Sequence, residues 1–382
     1  MKRRDFLKLG VLGTGGALLG WEGLAEAAQQ AAGGPFRFPA PVYRTLGRTG
    51  LKITVVSFGA MLTPEPEVIR VAFEHGVNYV DTARRYMNGR NEEIVARALK
   101  GMHDKVYVAT KIVSSSRSKV DIFRDVETSL KALERDHIDV IQLHNVTGSE
   151  RLFEPEMREA LVKLKQQGKV RFFGVTTHTN ETEVVNAIVD DKDKFFDTIL
   201  VKYNFRSDDD LKKAIAKAAQ AGIGVIAMKT QAGGYKTDAL GPISPHQAAL
   251  KWALQDKNIT AAIPGMRDMG HLRDDIAVMG MRLTLVDSMI LRCYGAAVAS
   301  RYCHMCGKCE ETCPRGVRIS VVNRSLMYAE AYRSAELARG TYGEIPACAS
   351  ASACLDCGHC VARCVNGLDV AAKMARARKL LA

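Results

Sequence analysis

All ten cysteines of this 382-residue chain lie between Cys293 and Cys364, and eight of them form two runs of the same spacing. Cys303, Cys306, Cys309 and Cys313 read CxxCxxCxxxC, and Cys354, Cys357, Cys360 and Cys364 repeat it. At that spacing three thiolates wrap one iron-sulfur cube while the fourth reaches a neighbouring one, so the two runs predict two [4Fe-4S] clusters. Disulfides would suit an exported chain, but they do not require a repeat of ligand spacing. Zinc asks for two CxxC pairs per site and leaves the three-cysteine run unexplained. Pro314 follows the first run directly, as ferredoxin-type ligand runs do, whereas the second ends in Cys364-Val365. Cys293 and Cys348 fall outside the pattern and read as structural.

Asp81, Tyr86, Lys111 and His144 form a second chemical set, and its meaning depends on the strands that carry it. From Tyr43 to about Gly280, short β-rich runs alternate with helical stretches. The predicted strands are Thr54 to Phe58, Val77 to Asp81, Val106 to Lys111, Ile138 to Leu143, Val170 to Val175, Thr198 to Val201, Val225 to Met228 and Ala261 to Ile263. Amphipathic segments such as Arg124 to Glu134, Glu156 to Gln167 and Leu211 to Ala221 lie between them, with Gly101, Gly168 and Gly222 as stops. Eight βα units in about 240 residues predict an α/β fold of the (β/α)8 TIM-barrel type. A doubly wound sheet would carry a nucleotide fingerprint after its first strand, and none is present. Gly47-Arg48-Thr49-Gly50 predicts a hairpin closing the barrel floor.

Catalysis in a barrel sits at the C-terminal strand ends. Asp81 ends the second predicted strand, Lys111 ends the third, His144 follows the fourth, and Tyr86 lies in the loop after the second. Singly, each has a plain explanation: a helix cap, a solvated lysine, a satisfied histidine. Together they make one rim of titratable groups.

Several segments resemble successive signatures of the aldo/keto reductase family: Tyr43 to Leu51 (YRTLGRTGL), Asp81-Thr82-Ala83 with Tyr86, Ala109-Thr110-Lys111, and Ser129-Leu130 through Ile138-Asp139 to His144. The resemblance covers essentially the whole barrel and implies an enzyme that interconverts a small carbonyl compound and its alcohol with NAD(P)(H). It implies Tyr86 as general acid, Lys111 as the cation that lowers the Tyr86 pKa, Asp81 as the partner of Lys111, and His144 as the group orienting the carbonyl oxygen. Each role suits a reaction that builds negative charge on oxygen. By the same resemblance Thr176 or Thr177 would meet the nicotinamide amide and Tyr203 would stack on its ring. Leu200 stands where the family usually has a glutamine. Arg267 would grip a 2′-phosphate, which favours NADP over NAD. Arg84 and Arg85, just ahead of Tyr86, either face solvent or favour an anionic substrate.

Between the cysteine runs, Pro314 to Ala353, the segment Ser320 to Arg339 predicts one helix with Gly340 as its stop. So long a helical spacer resembles the α-helical ferredoxin arrangement. That resemblance implies Cys303, Cys306, Cys309 and Cys364 on one cluster, and Cys354, Cys357, Cys360 and Cys313 on the other.

Residues 1–27 read as a twin-arginine signal peptide: Lys2-Arg3-Arg4-Asp5-Phe6-Leu7-Lys8, an apolar Gly-rich stretch from Leu9 to Leu19, and Ala25-Glu26-Ala27 for cleavage. Its apolar run is far short of the ~18 residues of a spanning helix. Export by the Tat machinery to the periplasm or cell exterior is therefore expected. The net charge is +12, and the signal holds four basic and three acidic residues, so cleavage leaves +11. That charge favours anionic partners or substrates and a redox partner docking on a basic surface. Nucleic acid is disfavoured, because the basic residues are spread out and no binding motif accompanies them. The expected order is signal 1–27, linker 28–42, barrel 43–280, helical connector 281–300, ferredoxin-type domain 301–370 and basic tail 371–382. A second class of function also fits: an electron-transfer or binding subunit whose barrel is a scaffold. Clusters pass single electrons whereas a nicotinamide takes a hydride, and no flavin motif joins the two.

Overall fold

The computed structural model describes residues 36–382, apart from Ala239 and Pro242. The expected signal and residues 28–35 of the expected linker lie outside the described residues. The fold is that of the unit Pro39–Ala382.

Eight parallel strands run in sequence order around one sheet: β3 (Phe58–Gly59), β4 (Tyr79–Asp81), β5 (Tyr107–Ile112), β6 (Ile138–Leu143), β7 (Val170–Thr177), β8 (Thr198–Lys202), β9 (Gly224–Met228) and β10 (Ala261–Ala262). The sheet closes on itself: Ser57 N donates to Ala262 O at 2.9 Å, and Gly59 N donates to Pro264 O at 3.1 Å. The architecture is thus the expected (β/α)8 barrel. The predicted strand Thr54 to Phe58 is corrected, because it splits between two sheets. Ser57 Oγ donates to Thr54 O at 2.7 Å, and such side-chain-to-backbone bonds favour a bend over an unbroken ladder.

Ahead of the barrel, β1 (Tyr43–Thr45) pairs antiparallel with β2 (Lys52–Thr54). Gly47 at the hairpin tip has φ +48°, and a Cβ there would lie 2.3 Å from Gly224 N, so only glycine lets the tip press on the start of β9. Leu46, Leu51 and Ile53 enter one interior core with Tyr79, Val140 and Ile226. The hairpin therefore plugs the floor and leaves the C-terminal rim as the open end.

Helices α1 (Pro66–Glu74), α2 (Asn91–Leu99), α3 (Lys119–Leu133), α4 (Pro155–Gln166), α5 (Glu181–Val189), α6 (Asp209–Gln220), α7 (Pro245–Gln255) and α8 (Met269–Ile276) cover the strands. Helix α6 is typical: Asp208 caps it by accepting from Leu211 N at 2.9 Å, and Leu211, Ala214, Ile215 and Ala218 form its buried stripe.

The chain then returns through α9 (Leu285–Val298) to α10 (Ile319–Glu330), α11 (Ala335–Tyr342) and α12 (Val370–Leu381). Lys251 Nζ on α7 donates to both carboxylate oxygens of buried Asp287 on α9, at 2.8 and 3.0 Å, which ties this region to the barrel. The single helix expected over Ser320 to Arg339 is corrected to two. Arg333 takes a left-handed φ of +53°, Ser334 caps α11 by accepting from Leu337 N, and Gly340 lies inside α11 instead of ending a helix. The expected basic tail is also ordered: Met374 and Ala377 of α12 lie in one core with Val322 and Cys309. Ile319 to Tyr328 of α10 are all buried. A helix buried all round that still carries Asn323 and Arg324 must serve two surfaces.

Candidate functional site

Parallel register brings the rim residues together, with Asp81 opposite Ala109 and Lys111 opposite Gln142. Lys111 Nζ donates to Asp81 Oδ1 at 2.5 Å and to Thr82 O at 2.7 Å, and Gln142 Nε2 donates to Asp81 Oδ2 at 2.7 Å. Asp81 and Lys111 are 3% and 2% exposed, so this is a buried ion pair with its remaining polar capacity satisfied. Burial outweighs the attraction of Asp81 and moves Lys111 below its ordinary value.

Tyr86 starts a short turn, Tyr86–Gly89, in which Met87 and Asn88 both have left-handed φ, +50° and +53°. Such backbone is held only by its surroundings. Here it sets the Tyr86 ring 6.0 Å from His144, at an interplanar angle of 80°. Lys111 Nζ sits 4.7 Å from the Tyr86 ring centroid, over its face. The expected depression of the Tyr86 pKa is therefore corrected: burial, then the charge of Asp81, push the phenol well above its usual 10. Among the described residues the Tyr86 hydroxyl has no hydrogen-bond partner, and the residue lines the open cavity. Burial, then Lys111 and Arg324, hold His144 well below 6.5, so it is neutral at pH 7.

Helix α10 closes over this rim. Arg324 Nη1 donates to Asn145 Oδ1 at 2.8 Å, and His178 Nδ1 lies 3.0 Å from the same oxygen. Lys229 Nζ donates to the Tyr328 hydroxyl at 2.8 Å. Below the helix, Lys202 Nζ donates to His304 O at 2.5 Å, next to Cys303. The cavity measures about 1260 Å³ and includes Tyr86, His144, His178, Lys229, Arg324 and Tyr328 in its wall. Burial raises the Tyr328 phenol, but Lys229 and Arg324 outweigh it, and Tyr328 titrates below its ordinary 10. Of the two arginines ahead of Tyr86, Arg85 faces solvent as one reading expected, and both carry carboxylate partners. Arg84 pairs with buried Glu92, and Arg85 pairs with Glu344 at 3.5 Å.

The four residues read as cofactor contacts are engaged elsewhere, and of the four only Arg267 lines the cavity. Thr176 and Thr177 are fully buried: Thr176 Oγ1 accepts from Asn145 N at 2.8 Å, and Thr177 Oγ1 donates to Thr179 O at 2.8 Å. Tyr203 turns the other way, its ring 5.0 Å from Trp252 and its hydroxyl donating to Asp256 Oδ2 at 2.8 Å. Strand alternation explains this: Leu200 faces the barrel interior, so Tyr203, an odd number of residues on, faces the helix layer. Arg267 lines the cavity, but its Nη2 donates to Tyr332 O at 2.7 Å.

The cysteine runs do fit iron-sulfur clusters. All ten thiols are free. Cys303, Cys306 and Cys309 lie within electrostatic reach of one another and of Cys364, while Cys354 is within reach of Cys357, Cys360 and Cys313. The fourth thiol of each run thus lies within reach of the other run. Burial pushes Cys303 and Cys309 up to about 12, a cost that thiolate ligation to a metal removes. Among the described residues no three His, Cys, Asp or Glu side chains converge on a single-ion site. Cys293 and Cys348, expected to be structural, are exposed and unbridged.

Sequence reasoning missed four cavity residues, His178, Lys229, Arg324 and Tyr328, and the buried Gln142 that holds Asp81. Gln142 near the end of β6, His178 just after β7 and Lys229 just after β9 satisfy the same strand-end criterion that singled out Asp81 and Lys111. Arg324 and Tyr328 left no such signal, because they arrive from a distant helix at i, i+4 spacing. Gln231, a further cavity residue, bears on stability: its Nε2 donates to Asp275 Oδ1 at 3.0 Å. Burial, then Asp274, raise Asp275 from 3.8 to about 8. The folded protein keeps this proton after the unfolded chain has lost it, so stability falls as pH rises from about 4 to 8. Asp275→Asn should raise the unfolding free energy at pH 8.5 by on the order of several kcal/mol and much less at pH 4. Equal effects in denaturant titrations at both pH values would exclude a buried neutral acid.

A model of the aldo/keto reductase family matches residues 65–240, and a model of the 4Fe-4S dicluster domain matches residues 299–368. Among curated proteins, L-galactose dehydrogenase of Arabidopsis thaliana is 26% identical over 281 residues, 62% of this chain and 87% of that protein. An uncharacterized oxidoreductase of Bacillus subtilis, YqkF, is 35% identical over 149 residues, 35% of this chain and 48% of that protein. Among solved structures, an aldo-keto reductase from Klebsiella pneumoniae in complex with NADPH is similar at a TM-score of 0.57 and 24% identity, over 66% of this chain and 95% of that one. A putative aldo-keto reductase from Pseudomonas aeruginosa is similar at 0.54 and 24%, over 64% and 96%. The barrel and its rim thus fall largely in a segment that matches the aldo/keto reductase family, and both cysteine runs fall in a following segment that matches the 4Fe-4S dicluster domain.

Proposed function

We propose that this chain interconverts a small carbonyl compound and its alcohol, with Tyr86 as the proton donor and two [4Fe-4S] clusters in the C-terminal domain. The observation that carries the proposal is the convergence of Asp81, Tyr86 and His144 on one cavity, with Lys111 buried against Asp81 and the Tyr86 ring and the Tyr86 hydroxyl free to meet a ligand. Tyr86 stays protonated through neutral pH and gives its proton to the oxygen as the carbonyl carbon is reduced. Neutral His144 donates a hydrogen bond to the same oxygen and fixes its position. Lys111, held by Asp81 and Gln142, supplies positive charge under the Tyr86 ring as the phenol loses its proton. A nicotinamide nucleotide, NADP before NAD, would supply the hydride when bound. The support for it is the likeness of fold to proteins described in complex with NADPH and NADP.

One observation favours the scaffold reading: α10 side chains occupy the barrel mouth, and all three residues expected at the nicotinamide face elsewhere. Protein purified without oxygen separates the two. Tight NADPH binding with turnover of a carbonyl panel supports the reductase. Iron and labile sulfide with no nicotinamide affinity and no turnover would place function in electron transfer to a partner protein. Residues 1–27 further support export by the Tat machinery to the periplasm or cell exterior. Cell fractionation before and after Arg3-Arg4→Lys-Lys tests this, and unchanged export in the variant would reject it.

A further inference from the structure

Cations with no carboxylate partner stand out at the cavity wall. Asp81 is taken by Lys111 and Gln142, Glu344 by Arg85, Glu92 by Arg84, and Asp268 by His271. Asp274 faces His246 and His271 at the far side. Arg324 and Lys229 pair with no carboxylate among the described residues; their partners are Asn145 Oδ1 and the Tyr328 hydroxyl. Arg324 is 4% exposed and its Nε is buried with no hydrogen-bond partner. A buried guanidinium with an unused donor is costly unless something else meets it. His144 and His178 register the same excess charge: burial first, then Arg324 and Lys229 among other cations, hold both well below their usual value.

We propose that Arg324 and Lys229 form a binding site for an oxyanion group of the substrate, so that the compound handled at Tyr86 and His144 carries a carboxylate or phosphate. The proposal rests on the carbonyl-alcohol reading of the cavity and adds the substrate class. Arg324 lines the same cavity as Tyr86 and His144 and lies within electrostatic reach of both, so an anion held there shares the cavity with the reacting group. A guanidinium fork suits either oxyanion, with Lys229 as a point charge beside it. Because Arg324 belongs to α10, the iron-sulfur domain completes the substrate site of the barrel.

The test uses the anaerobically purified full chain with its clusters. Calorimetric titration with inorganic phosphate, malonate and glycerol should show binding of one or both anions and none of glycerol; the stronger anion identifies the group. Lys229→Met and Arg324→Lys, checked for unchanged iron content and circular dichroism, should each weaken that binding at least tenfold. Tyr86→Phe should leave it within twofold. No anion binding by the wild type, or equal binding by both variants, overturns the proposal. Anion binding that depends on Arg324 in a protein without carbonyl turnover keeps the site and rejects the reductase reading, whereas turnover without anion binding does the reverse.

Discussion

Tyr86→Phe should lower kcat for carbonyl reduction by roughly 10²- to 10⁴-fold, the usual worth of a positioned general acid, with little change in KM. The ring fills the same space, and among the described residues no hydrogen bond is lost with the hydroxyl. The pH profile sharpens the test. Burial and Asp81 keep the Tyr86 phenol well above 10, so this acid stays protonated and imposes no falling limb below pH 10. Among the described residues Tyr328 is the one rival phenol at the cavity with a lowered pKa, and an acid there would give a rate that falls as pH rises through a value under 10. Unchanged turnover in Tyr86→Phe together with loss in Tyr328→Phe would move the proton donor to the iron-sulfur domain.

Local pattern made the barrel legible. Asp81, Lys111 and His144 could be placed because a parallel strand puts its last residue at the rim whatever else the fold does. The hairpin plug was legible for a similar reason, since Gly47 to Gly50 marks a turn between apolar runs. What stayed hidden depends on side-chain direction or on distant segments. Tyr203 has a suggestive sequence context, yet strand alternation aims it at Trp252, and an odd-numbered step from Leu200 was the available clue. Thr176 and Thr177 spend their hydroxyls on local backbone, which no spacing reveals. The break at Arg333 turned on a left-handed residue and a serine cap inside a run that reads as one helix. Arg84 and Arg85 attracted attention in the sequence, whereas Lys229 and Arg324 are cavity cations with no carboxylate partner among the described residues. Counter-ions are a tertiary property, and charge alone could not assign them.

The largest expected change in composition concerns the cysteines. If Cys313 serves the Cys354 run and Cys364 the Cys303 run, then Cys313→Ala with Cys354→Ala damages one cluster only. Iron should fall from about eight to about four per chain, the content of two and one four-iron cubes. Cys313→Ala with Cys309→Ala removes ligands from both clusters, and iron should approach zero. Ligation of each run by its own four thiols reverses the two results, because Cys309 and Cys313 would then share a cluster. The geometry favours exchange: Cys354 feels Cys313 along with Cys357 and Cys360, while Cys303 and Cys309 both feel Cys364. The first cluster is also the one coupled to the barrel, since Lys202 Nζ donates to His304 O beside Cys303 and Asn204 Nδ2 donates to the Tyr302 hydroxyl at 2.9 Å. Loss of that cluster alone, through Cys364→Ala, should therefore loosen α10 over the cavity and weaken anion binding at Arg324. Loss of the other, through Cys313→Ala, should leave that binding near its wild-type value.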